Sequence, residues 1–325
     1  MSNVLCKTNQ EIPQDMLLGN LLFTNLIDMQ IADSDLSAIF QKNNIPERYV
    51  KKISPSDAFR RASASIKNRI MYITATNGNG NDKVRVEIDE IKSDVDSIKR
   101  IIGIKRVNEV SEDITYEPMG EIIFNRAGGT CVATPYLVPG DADYQQFRDL
   151  CDEVENKYSE WSVYHNKDTV RNIINRIIAD THPVNLMPTG LCKFVPSGST
   201  DLLYHLKEAL SDMSLYRAKT SNGGDNIMEI IPVIDTEEQR ALIEKNFTAE
   251  ITEELFGFTQ ELKEVLSKKQ TLSTRTATAY VEKFNVLRNK AKEYESLLGI
   301  YVDSIYQQIT DSLALVDDNV EDATE

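Results

Sequence analysis

ATAYVEKFNVLRNKAKEYESLLGIYVDSI, residues 277–305, decides the first architectural reading of this chain. Ala277, Tyr280, Phe284, Leu287, Ala291, Tyr294, Leu298, Tyr301 and Ile305 recur at alternating intervals of three and four. That period keeps one stripe of a helix facing another helix. A matching stripe precedes it at Ile251, Leu255, Phe258, Leu262 and Val265, and only the polar stretch from Lys268 to Thr274 lies between. So short a link returns the chain antiparallel. Residues 236–316 are therefore predicted to form an antiparallel coiled-coil helical hairpin, with 277–305 as one straight rod. Thr236-Glu237-Glu238-Gln239 has the form of a capping box and marks its start. Leu266, Val286, Leu297, Ile300 and Val302 fall off the seam, which predicts a second contact surface for a protein partner or another copy of the chain.

Upstream of the arm the pattern predicts an α+β body, with residues 1–140 as one domain and 141–235 as a second, helical one. Residues 14–45 read as two short amphipathic helices, the first carrying Met16, Leu17, Leu21 and Ile27, the second starting near Ser34. Ser54-Pro55-Ser56-Asp57 is a helix start: a hydroxyl cap, a proline where no N–H is needed, and an acid at the positive end of the dipole. The period then changes to two. Ile70, Tyr72 and Thr74 precede Asn77-Gly78-Asn79-Gly80, and Val84, Val86 and Ile88 follow it, which predicts a β-hairpin. Strand-like pieces at 101–107, 122–124 and 131–138 extend this to a small antiparallel sheet. Helices are predicted over 141–158, after Asp168, and after Ser199 or Thr200. Two short strands around Pro188-Thr189-Gly190 give 141–210 the order of a winged helix. Leu215–Arg217 and Ile227–Ile231 bracket Asn222-Gly223-Gly224 as a second hairpin. The acidic residues 317–325 are expected to be a disordered tail.

The 325 residues carry a formal charge of −15, which opposes a generic nucleic-acid or anionic-membrane binder. The charge is unevenly spread. Residues 49–110 hold 13 Lys and Arg against 8 Asp and Glu, whereas residue 236 onward holds 10 against 18. Cys6, Cys131, Cys151 and Cys192 are scattered, as suits reduced thiols. The polar start, with Pro13 and Asp15 ahead of any apolar run, predicts a cytoplasmic protein, and no stretch is long enough to span a membrane.

Ser54-Pro55-Ser56-Asp57-Ala58-Phe59-Arg60-Arg61-Ala62 and Gly190-Leu191-Cys192-Lys193-Phe194-Val195-Pro196 resemble segments of an uncharacterised family of prokaryotic and bacteriophage proteins. The resemblance implies an intracellular microbial or viral protein. It brings no activity and no catalytic residues.

Two basic groups are candidates for phosphate contact. Arg60 and Arg61 sit on one predicted helix with Lys51, Lys52, Lys67 and Arg69 nearby; Arg171 and Arg176, with Asn172 and Asn175, lie on another, and Lys193 falls on the would-be wing. The bland alternative is a solvated helix face. Cys192 beside Lys193 could be an activated thiol but sits in an apolar strand. Asp94-Val95-Asp96 could hold a divalent ion, although such pairs are common by chance in an acidic chain. His165, His182 and His205 are not spaced for a shared metal, and no Walker A loop, dinucleotide fingerprint or nucleophile elbow is present. No cofactor, metal or catalytic residue is assigned. The leading expectation is a non-enzymatic interaction protein assembling through the seam Tyr280, Phe284, Leu287, Tyr294, Leu298, Tyr301 and Ile305. The alternatives are nucleic-acid binding by the basic 49–110 face or the winged-helix-like segment, and an acidic inhibitor of a DNA-processing enzyme.

Overall fold

The computed structural model describes residues 16–50, 52–75, 80–107, 114–187, 190–219, 223–269 and 271–320. The first part contains strands β1 (Leu17–Asn25) and β2 (Gln30–Ala32) and helices α1 (Asp33–Lys42) and α2 (Pro55–Ala64). Five strands follow: β3 (Ile70–Thr74), β4 (Asn81–Ser93), β5 (Ser97–Val107), β6 (Ile114–Asn125) and β7 (Thr130–Pro135). Next come α3 (Tyr144–Trp161), β8 (Tyr164–Asn166), α4 (Lys167–Ala179), β9 (Val184–Asn185), β10 (Lys193–Pro196), α5 (Thr200–Met213) and β11 (Ile227–Ile234). Three helices complete the description: α6 (Glu237–Lys269), α7 (Thr274–Leu298) and α8 (Asp303–Asp317).

The five strands β3 to β7 form an antiparallel meander in sequence order. Alternation buries one face: Val86 stands opposite Ile104 and Ile88 opposite Ile102, all inward. Helices α2 and α3 cover that face, with Phe59 stacked on Phe124 at 5.3 Å and Phe147, Leu150 and Val154 completing the core. Ser54 caps α2 by accepting the Asp57 N–H at 3.3 Å, and Pro55 opens the helix, as their order in the sequence predicts. The predicted hairpin turn at Asn77 to Asn79 lies outside the described residues, as do Pro188, Thr189, Asn222 and Lys51.

A second antiparallel sheet has the order β11-β1-β10-β9. Its middle strand β1 corrects the expected first helix. Leu22 joins the core formed with α1, α4 and α5, while Leu18 and Leu21 join the core beneath α6 and α7. A strand covered on both faces shows no alternation, so periodicity alone cannot separate it from a short helix. Gly19 is required here, because a Cβ would lie 2.3 Å from the Val195 carbonyl oxygen of the neighbouring strand. The expected second hairpin is also corrected: Leu215 lies in a short 3₁₀ turn, and β11 pairs with β1 along eight residue positions instead.

The same sheet dissolves the winged-helix reading and the 141–235 boundary. Helix α3 packs on the meander, whereas β9 and β10 extend the sheet of β1 and β11. Segments from 17–25, 184–196 and 227–234 thus share one sheet, and no cut at residue 140 or 235 divides the chain cleanly.

Helices α6 and α7 run antiparallel, with Phe247 stacked on Tyr294 at 4.6 Å and Lys283 2.8 Å from Glu261. The predicted rod, however, is broken. Gly299 adopts φ 66° and ends α7; Tyr301 is 92 % exposed; Ile305 belongs to α8, which turns back onto α6 and α7. A heptad stripe reports only seam positions, and Gly299 lies between two of them, so the stripe runs over a glycine cap without a miss. The helices do not stand clear of the body either. Their core is continuous with Leu18, Val184, Phe194 and Val233 of the sheet. The expected loose tail is anchored at its start by a hydrogen bond from the Leu272 N–H to the Asn319 carbonyl at 2.7 Å; residues 321–325 lie outside the description. Among the described residues no helix is long and apolar enough to cross a membrane.

Candidate functional site

The meander unit and the four-stranded unit meet where β2 pairs with β8. Ile31 stands opposite His165 and Gln30 opposite Asn166, which places the start of α4 against α2. Asn166, rather than the expected Asp168, caps α4 by accepting the Thr169 N–H at 3.0 Å. Arg61 of α2 then reaches across, donating from Nη1 to Thr169 Oγ1 at 2.8 Å, with its guanidinium 5.5 Å from the Trp161 ring centre.

Between the two helices lies a cleft of about 460 Å³. Four cations line it: Lys52, Arg60, Arg61 and Arg176. Asp57 is the one carboxylate among the lining residues; Ser54, Thr169 and Asn172 add neutral polar groups, and Ile53 and Ile173 an apolar wall. Arg60 is held by Glu90 at 3.8 Å. Among the described residues Lys52, Arg61 and Arg176 have no carboxylate within ion-pair distance.

His165, only 1 % exposed, also lines the cleft. Its Nε2 lies 2.5 Å from Asp33 Oδ1, while Asp33 Oδ2 accepts the Ile53 N–H at 3.3 Å. Its Nδ1 is buried and has no hydrogen-bond partner among the described residues. Burial is the largest influence on the imidazole and lowers its pKa, the Asp33 hydrogen bond opposes this, and the nearby Arg61 charge adds to the lowering. In the neutral ring Nε2–H donates to Asp33, which leaves the lone pair on Nδ1.

The structure thus gathers Lys52, Arg60, Arg61, Asn172 and Arg176 from the two sequence groups into one place. It does not gather the others. Arg69 makes a bidentate pair with Glu153 at 2.6 and 2.7 Å, Lys67 lies 3.9 Å from Glu87, and Arg171 is tied to Asp168 at 2.8 Å. Lys193 lies on β10 and does not line the cleft. Sequence reasoning missed the His165–Asp33 pair, whose partners are 132 residues apart and meet through two three-residue strands. Strands that short carry no legible period.

The remaining candidates resolve into structural roles. Burial raises the Cys192 thiol, and pushes Cys131 and Cys151 up to about 12, so none of the three is an activated nucleophile. Asp94 accepts the Asp96 and Ser97 N–H groups and pairs with Lys92 at 2.6 Å, which together lower it to about 2; the pair forms a hairpin turn. Among the described residues no three metal-binding side chains come together. Of the seam, Tyr280, Phe284, Leu287, Tyr294 and Leu298 are buried within the chain.

A four-stranded sheet between two helical layers, joined to a helix-covered meander, defines an α+β protein with a cationic cleft at the junction. The chain belongs to a family of unknown function, DUF6744, whose profile matches residues 17–321. This agrees with the resemblance to an uncharacterised family at Ser54–Ala62 and Gly190–Pro196. A search of the curated proteins and one of the solved structures found no match.

Proposed function

We propose that this protein binds nucleic acid through the cleft between α2 and α4. The observation that carries the reading is the meeting of Lys52, Arg61 and Arg176, cations without carboxylate partners among the described residues, from segments more than a hundred residues apart. Arginine in a structural role is normally paired, as Arg69 is with Glu153. A cluster left unpaired costs mutual repulsion and fits an anion supplied from outside. Phosphate oxygens match the guanidinium fork. The net charge of −15 does not forbid this, because charges more than about 10 Å away are largely screened at moderate salt.

Assembly through residues 236–316 has less support: of the five off-seam side chains, Val302 is buried and Leu266, Leu297 and Ile300 are partly buried within the chain, whereas Val286 is 54 % exposed.

The test is an anisotropy titration of labelled single-stranded and duplex oligonucleotides with the full-length protein at low salt. Binding should weaken as salt rises, and by about tenfold in Arg61→Ala and in Arg176→Ala, the effect of losing one charge-assisted contact. Absence of binding to every oligonucleotide at low salt would end the proposal.

A further inference from the structure

The cationic charge of the cleft stops at its rim. Beyond it Arg48 is 3.3 Å from Asp180, Lys167 is 3.7 Å from Asp28, and Arg171 is 2.8 Å from Asp168. A strand held along its backbone presents one charge per phosphodiester and needs a row of cations to follow it. Around this cleft the cations without a carboxylate partner among the described residues, Lys52, Arg61 and Arg176, all line the one cavity instead. A terminal phosphomonoester carries about −1.5 to −2 charges and three acceptor oxygens on a single phosphorus. That is the anion three clustered cations fit.

A second, independent mark points to a ligand at the same place. The imidazole of His165 lines the cleft with Nδ1 buried and unpartnered among the described residues, and the lone pair on that atom calls for a donor, such as a sugar hydroxyl next to the phosphate or an ordered water. Ile53 and Ile173 give an apolar wall, and Asn172 an amide, beside the cations. Such a wall suits the sugar and base that adjoin a terminal phosphate.

Resting on the nucleic-acid reading, we infer that the cleft takes the phosphorylated end of a single strand rather than a run of internal phosphates. A nucleoside monophosphate shares this chemistry, and the test separates the two sources. Full-length protein is titrated with one single-stranded sequence in three forms: 5′-phosphate, 3′-phosphate, and hydroxyl at both ends, with any label internal. A nucleoside monophosphate is added as competitor and titrated alone.

One phosphorylated form should bind at least about tenfold tighter than the hydroxyl form. Its salt slope should be about −1.4 or shallower, since one terminal phosphate offers at most about two charges to neutralise on a single strand. Arg176→Ala should erase the preference, whereas Arg171→Ala, changed outside the cleft, should keep it. Arg176 is exposed and its side chain makes no hydrogen bond or ion pair with described residues, so its variant should fold normally, which circular dichroism checks. Equal binding of all three forms, weakened by Arg176→Ala, would overturn the end preference and leave the nucleic-acid reading standing. Binding of the monophosphate alone, or of nothing, would overturn both.

Discussion

Lys290 and Arg176 are both basic residues on helices, and the protein treats them in opposite ways. Lys290, 5 % exposed on α7, meets Glu250 of α6 at 2.5 Å, with Glu254 at 4.0 Å. Glu250 in turn accepts the Asn185 backbone and side-chain N–H groups, each at 2.8 Å, which ties the helical layer to the sheet. Arg176 faces the cleft with no such partner among the described residues. Charge used to hold the fold is paired and satisfied; charge left open at a cavity is available to something else. The largest effect should therefore come from breaking the satisfied side. Lys290→Ala leaves a mostly buried carboxylate without its cation and should cost about 3 kcal/mol in urea unfolding. A cost below about 1 kcal/mol would mean that the helical layer does not depend on this pair, and the contrast with the cleft would lose its basis.

Gly299 sharpens the same comparison, because it makes the helical layer a packed body instead of a free arm. At φ 66° an alanine is strained, so Gly299→Ala should destabilise by about 1–2 kcal/mol. If residues 277–305 formed one continuous helix, alanine would stabilise it by about 0.5–1 kcal/mol relative to glycine. The sign of the change in melting temperature decides between the two geometries.

What the sequence reveals follows from this contrast. Elements whose side chains sort by one rule were legible: the meander through Val84, Val86 and Ile88, and α2 through Ser54, Pro55 and Phe59. So were both halves of the cleft, since Arg60 and Arg61 on one helix and Arg176 on another were already candidates. Their meeting was not legible, because β2 and β8, which join them, are three residues each. Strand β1 lacks a legible period because both its faces are covered, and the break after α7 leaves no trace in the stripe because Gly299 is off the seam. Local periodicity reports which face is covered. It does not report which distant segment covers it.

An intermediate case lies in the meander unit, where Arg69 and Lys157 both hold Glu153 and lower its pKa to about 2 from an ordinary 4.5, with burial opposing them. A carboxylate depressed on folding stabilises the fold above its unfolded value. That contribution fades as pH falls from about 4.5 through about 2. The side chain is nearly a third exposed, so solvent screening limits it to about 1 kcal/mol. Glu153→Gln should lower the melting temperature at pH 7, and the gap to the unaltered protein should close in acid. A gap independent of pH would place Arg69 and Lys157 among the unpaired cations instead.

The smallest effect on stability is expected at the cleft itself. Arg176→Ala removes a cation from a cluster of like charge and breaks no side-chain hydrogen bond or ion pair with described residues, so unfolding should change by about 0.5 kcal/mol or less, in either direction. Its signature should appear only with an anion present. Inorganic phosphate at ten times its dissociation constant stabilises a binding protein by about 1.4 kcal/mol, by mass action on the folded state alone. The unaltered protein should show such a rise over chloride of equal ionic strength, and Arg176→Ala should show little of it. Lys290 should respond the other way: its loss lowers stability in either salt and leaves the phosphate increment intact, because its counter-charge is already inside the chain. A phosphate increment that survives Arg176→Ala would place the anion elsewhere and remove the distinction between an open cation and a paired one.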